Sequence, residues 1–308
     1  MLGVEIKGSK PGFYPIGWAF VNSPETARDY VKGLVDSPTD ILRIKSNVAP
    51  AKLKKLADDF YPVGNDYSTK ITEALKPILP KNQQQLLSNF PPYFVVLPKE
   101  FNDAIGKSKP GSSYGSLAFF SDTDATLVGI FAGFQSNAAL IREDEYQKMK
   151  DSPALMAKIL AHETFHYLGH VSQTRIDNVP NTLEEGIAEY FAIKALMGTG
   201  AAISSTSNTY PFETCTAHVL ARIAGQDELT KAFFTGDFST IRSKVDRLLG
   251  FGAWEALSSE INYGKLDSDY KENDRAHERF TMLYALMAKI GVSKEETRKE
   301  LHALGKID

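Results

Sequence analysis

Cysteine is almost missing from this chain: its 308 residues include only Cys215. No intrachain disulfide can form, and metal centres that need several thiolates are excluded. A lone cysteine of this kind is expected to sit buried on a helix as a small apolar residue. Long apolar runs are missing too. The longest stretch, Ala125–Phe134, is strand-length and far short of a bilayer span, so no membrane span is expected. There is no basic block and no alternation of aromatic with basic residues. With 35 Lys and Arg against 38 Asp and Glu, the net charge of −3 implies no nucleic acid or other polyelectrolyte partner. The N-terminus lacks a basic-then-apolar signal pattern, which leaves a cytoplasmic protein or a secreted one whose signal is removed. No internal repeat and no low-complexity segment is present. The length suits one large domain or two lobes with a substantial core.

What is present changes character along the chain. Residues 1–22 are rich in Gly, Pro and aromatics and form an irregular lead-in without periodicity. Ser23-Pro24 opens a helix to about Leu34, and Ile41–Lys45 alternates like a short strand. Helices are expected near 51–60, 67–78 and 82–89. Tyr93–Leu97 reads as a buried strand after Pro91-Pro92. Tyr114–Phe120 and Thr126–Ala132 read as two more strands, joined by the polar turn Ser121-Asp122-Thr123-Asp124. Beyond 181 the pattern is helical throughout, with segments near 182–198, 211–225, 238–249, 273–290 and 293–304. This layout predicts an α+β fold. A lobe over 23–180 carries a small, mostly antiparallel sheet, an all-helical lobe covers 181–308, and a cleft lies between them.

The chemistry concentrates where the first lobe ends. The chain reads His162-Glu163-Thr164-Phe165-His166. Asp151-Ser152-Pro153 is a helix start, with Ser152 as N-cap and Pro153 at the first helical position. Ala154, Leu155, Ile159, Leu160, Phe165 and Leu168 then make a mainly buried helix. On it His162 and His166 are one turn apart on one face, so both imidazoles can reach one metal ion. Two satisfied core histidines are the plainer alternative. Glu163, next to the first histidine, is placed to hold an attacking water.

Eighteen residues separate His166 from Glu185, in the stretch Glu184-Glu185-Gly186-Ile187-Ala188-Glu189. A second helix carrying Glu185 could supply a carboxylate as third ligand. Two histidines, a glutamate and one open position make the pattern of a catalytic zinc site. Thr182-Leu183-Glu184-Glu185 also fits a capping box with Thr182 as N-cap, which would make Glu185 a structural acid. With Asn181 as N-cap, Glu184 closes the box and Glu185 stays free for the metal. Glu189, one turn after Glu185, can hold the second ring nitrogen of a metal-bound histidine, as such ligands require. A solvated surface acid is its alternative. His170 cannot join the pair, because it lies about 12 Å along the axis from His162. The longer HExxHxxGxxH pattern matches at Gly169 but fails at Ser172.

His162–His166 followed by Glu185, with Glu-Gly-x-Ala-Glu-Tyr at 185–190, resembles the gluzincin branch of the zincin metallopeptidases, thermolysin-like enzymes included. The resemblance covers about 30 residues, 160–190. It implies a zincin-like fold and one zinc per chain, held by His162, His166 and Glu185. It also implies Glu163 as general base, Glu189 as the acid behind a ligand, and a peptide or protein substrate. The chain lacks a Gly-x-Met-Glu-Asn stretch, which argues against an aminopeptidase.

Relatives of this kind hold the substrate backbone against an edge strand above the metal. The segment Gly115–Phe119, with Ser116, Leu117 and Ala118, is the candidate here. A developing oxyanion needs a donor besides the metal. His277 is the first candidate, then Tyr270, with Tyr263 and Tyr210 behind them. The expected function is peptide-bond hydrolysis. The alternatives are a zinc hydrolase dedicated to a non-peptide amide or a single protein target, and an inert module that keeps the fold for binding. Asp122, Asp124 and the Asp58-Asp59 pair lack the spacing of a calcium loop.

Overall fold

The computed structural model describes residues 17–19, 55, 59, 61–63, 65–89, 91–98, 100, 118–119, 134–136, 138–171, 181–197, 210–263 and 272–304. It divides the chain into two compact units. One comprises Met1–Lys76 with Lys81–Val171, and the other Pro77–Pro80 with Ser172–Asp308.

In the first unit, β2 (Tyr61–Val63), β3 (Tyr93–Leu97), β6 (Ala138–Arg142) and β4 (Ala118–Phe119) pair in that order. The β2–β3 and β6–β4 pairs are antiparallel, and β3–β6 is parallel. A separate parallel pair joins β1 (Gly17–Ala19) to β5 (Phe134–Ser136). The sequence Tyr-Phe-Val-Val-Leu suits the central position of β3. Phe94, Val95 and Val96 are all buried, so both of its faces are covered, as a parallel strand needs. Four helices accompany these strands: α1 (Asn65–Leu75), α2 (Lys81–Asn89), α3 (Glu143–Met149) and α4 (Pro153–Val171). The last of them packs on β4, β5 and β6 and against α1.

The second unit is helical throughout its described residues: α5 (Asn181–Met197), α6 (Pro211–Ala224), α7 (Gln226–Thr235), α8 (Ser239–Leu249), α9 (Ala253–Tyr263), α10 (Glu272–Lys289) and α11 (Lys294–Leu304). α6 is its axis and packs on α5, α7, α8, α10 and α11. Its burial explains its composition. Cys215, Ala217, Val219 and Leu220 are fully enclosed, and the hydroxyls of Thr214 and Thr216 donate back to the carbonyls of Tyr210 and Phe212 at 2.6 and 2.9 Å. The thiol of Cys215 donates to the Leu301 carbonyl at 3.7 Å. Gly236 ends α7 in the left-handed region (φ 71°), where its N–H reaches the Ala232 carbonyl.

This architecture corrects the expected α+β fold with a small, mostly antiparallel sheet. Among the described residues there are eleven helices, against six strands of only two to five residues. Their pairing is mixed rather than mostly antiparallel. An apolar run such as 93–97 announces burial on both faces, which says nothing about strand direction. Of the expected strand 114–120, Ala118–Phe119 is a strand and the rest lies outside the described residues. The expected strand 126–132, the helix from 23, the strand 41–45 and nearly all of the helix near 51–60 also lie outside them. Among the described residues no helix is long and apolar enough to cross a membrane.

Candidate metal centre

The helix α4 starts as its sequence dictates. Ser152 stands before it, its carbonyl accepting the Met156 N–H at 3.0 Å, and Pro153 takes the first position, where no donor is needed. From Ile159 to Gly169 every residue is buried, so this helix is enclosed on all sides. Its histidines therefore sit in a protected, weakly polarisable setting. His162 and His166 are 7% and 3% exposed, and Glu163 between them is 6% exposed.

The one-turn spacing brings the two imidazoles together. Their Nε2 atoms are 3.1 Å apart, and the ring centroids are 4.8 Å apart at 67°. Glu185, half-buried on α5, completes the group: one donor atom from each of His162, His166 and Glu185 lies within 4.8 Å of the other two. Among the described residues no other trio of His, Cys, Asp or Glu gathers in this way.

The donor types suit a divalent metal ion. Two nitrogens 3.1 Å apart can each sit about 2 Å from one ion, closing an angle of roughly 100°, near the tetrahedral value. Two imidazoles and a carboxylate are borderline donors that suit such ions, and three protein ligands leave a position open. Without an ion, the 3.1 Å contact is an N–H···N hydrogen bond in which one ring donates and the other accepts.

The remaining sequence candidates fall unevenly. Glu189 is on α5, 2% exposed, and Glu184 is 8% exposed. The side chains of Asn181 and Thr182 lie outside the described ones, and with them the choice between the two capping registers. Ala118 is in β4, which has a single partner strand, β6, among the described residues; Ser116 and Leu117 lie outside them. His277 falls within α10 and Tyr263 ends α9, but neither side chain is among those described, and Tyr270 lies wholly outside. Tyr210 precedes α6, where its carbonyl accepts the N–H and the hydroxyl of Thr214. α4 runs unbroken through His170, which keeps that residue two turns from His162.

Two features near the site were not read from the sequence. Tyr167, beside His166, is 1% exposed, and its hydroxyl has no hydrogen-bond partner among the described residues; burial holds its pKa well above the usual phenol range. Gly186, next to Glu185, sits where an added Cβ would collide with the backbone of Glu213 on α6. A glycine inside an otherwise helical pattern was the available signal for the second.

No family model, no curated protein and no solved structure matches the chain.

Proposed function

We propose that this protein is a zinc-dependent metallopeptidase of gluzincin type, hydrolysing peptide bonds with Glu163 as general base. The observation that carries the reading is the approach of His162, His166 and Glu185 to within 4.8 Å, with a buried carboxylate between the two histidines. A zinc ion held by these three side chains supplies Lewis acidity, which polarises a carbonyl and makes water a nucleophile near neutral pH.

The chain's own residues then do the following. The two imidazoles offer Nε2 as neutral donors, and their burial keeps competing water away. Glu163 takes a proton from the attacking water as its oxygen bonds to the carbonyl carbon. It returns that proton to the amine as the C–N bond breaks. Glu189, one turn beyond Glu185, holds a ligand's second ring nitrogen and fixes its orientation. β4 offers its outer edge to an extended substrate backbone.

Elemental analysis of the purified chain is the first test. About one zinc per chain is expected for a His2Glu site. Glu185→Ala should lose the ion or bind it much more weakly; equal binding without Glu185 would overturn the ligand assignment. Glu163→Gln should keep the metal while peptide turnover falls by at least about 10²–10⁴-fold. Undiminished turnover in that variant would exclude Glu163 as the base.

A further inference from the structure

We infer that Gly186 is a positioning residue for the metal centre: its missing side chain lets α5 seat directly on α6 and thereby sets where Glu185 is held. The inference rests on the His162–His166–Glu185 reading above and adds a residue that takes no part in the chemistry.

The sequence first makes this glycine look misplaced. α5 runs from Asn181 to Met197, and Gly186 is well inside it. A glycine there weakens the helix relative to alanine, because it gives up more conformational freedom on folding and brings no side chain to pack. Packing on α6 gives the compensation. α5 and α6 form the most extensive helix pair among the described residues. A Cβ at 186 would run into the backbone carbonyl group and the Cβ of Glu213. These atoms are backbone, or bonded directly to it, in the first turn of α6, so they cannot swing aside as the tip of a side chain would.

One turn further on, the ring of Tyr190 meets that of His218 at 5.8 Å, and Phe191 meets Phe233 of α7 at 6.2 Å. Rows of residues four apart thus run Gly186, Tyr190, Lys194 along α5, with aromatic contacts fixing the far end. With that end fixed, the glycine decides how closely the Glu185 end approaches α6. Relieving the collision of an added methyl requires a displacement on the order of 1 Å, since carbon atoms rest about 3.5–4 Å apart. Metal–ligand distances tolerate only about 0.2 Å. The displacement exceeds the tolerance, and Glu185 is the adjacent residue.

The test is a cobalt(II) titration followed by visible absorption, with far-UV circular dichroism recorded on the same samples. Wild type, Gly186→Ala and Glu185→Ala are compared. The expected result is a Gly186→Ala variant with wild-type helicity, roughly 10–100-fold weaker cobalt binding and a changed ligand-field spectrum. A folded Gly186→Ala variant with wild-type affinity and spectrum overturns the inference. If the variant is unfolded in buffer, sucrose restores burial, and the same spectral criterion is applied to the refolded chain. Glu185→Ala separates the two levels of the argument. If wild type binds no cobalt, or Glu185→Ala binds it unchanged, the metal-site reading itself fails, and the role of Gly186 fails with it.

Discussion

A hydroxyl buried without a partner costs stability, and Tyr167 of α4 carries one that has no partner among the described residues. Replacing it with phenylalanine keeps the ring that fills the core and removes the desolvated oxygen. Tyr167→Phe is expected to raise the unfolding free energy by about 1 kcal/mol, read as a higher thermal midpoint. A lower midpoint would mean that the hydroxyl has a partner after all. At the same scale, the histidine pair of the candidate metal centre and the glutamate between them were the most legible part of the chain. His162, Glu163 and His166 are local in sequence, and a single helical turn brings the two imidazoles together. Glu185 was legible from its spacing, because a second helix had to follow. Gly186 and Tyr167 were harder to read. A glycine inside a helical pattern marks Gly186 as unusual, but what it meets is an atom of another element (Glu213), and Tyr167 has no local signature at all.

Among elements, α11 is held to α6 by a half-buried pair whose strength depends on pH. His218 of α6 and Glu300 of α11 meet at 2.8 Å, with Arg222 3.5 Å from the same carboxylate oxygen. Burial pushes the His218 pKa down, and the positive charges of Arg222 and Lys194 act in the same direction. The hydrogen bond and charge of Glu300 oppose them, and the net direction is below the ordinary value of 6.5. Tyr190, whose ring faces His218, has its own pKa pushed up to about 12 by burial and stays neutral throughout. The fold therefore prefers neutral imidazole. The stability this preference contributes is fully present above pH 6.5 and is lost as acid carries the pH down through the lowered value. Urea midpoints measured from about pH 7 down to pH 5 should fall, and His218→Gln should flatten that part of the profile. An equally steep fall in the variant would assign the acid sensitivity to other groups. The helices of this unit were legible where apolar periodicity is long, as in α5, α6, α10 and α11. α7 and α9 were not, since each is a short segment closely preceded by a glycine turn (Gly225, and Gly250 with Gly252), and the turns read more strongly than the helices.

For the whole molecule, composition excluded more than it identified, and strand direction was the first thing it could not supply. Metal linkage is a property of the entire folded chain and can be read without knowing a substrate. The three donors gather only in the folded state, because Glu185 is far from the histidines in sequence and an extended chain cannot hold all three within 4.8 Å. Any ion that binds there must stabilise folding by mass action, by about 2.7 kcal/mol when free metal is 100 times its dissociation constant. Thermal unfolding of metal-stripped protein should therefore shift upward with added zinc, continuing to rise with concentration after the site is saturated. Glu185→Ala should reduce the shift, and chelator should reverse it. Glu163→Gln should leave the shift intact, since Glu163 is not among the three donors. A zinc-induced shift that is the same in wild type and Glu185→Ala would place the stabilising ion elsewhere on the chain.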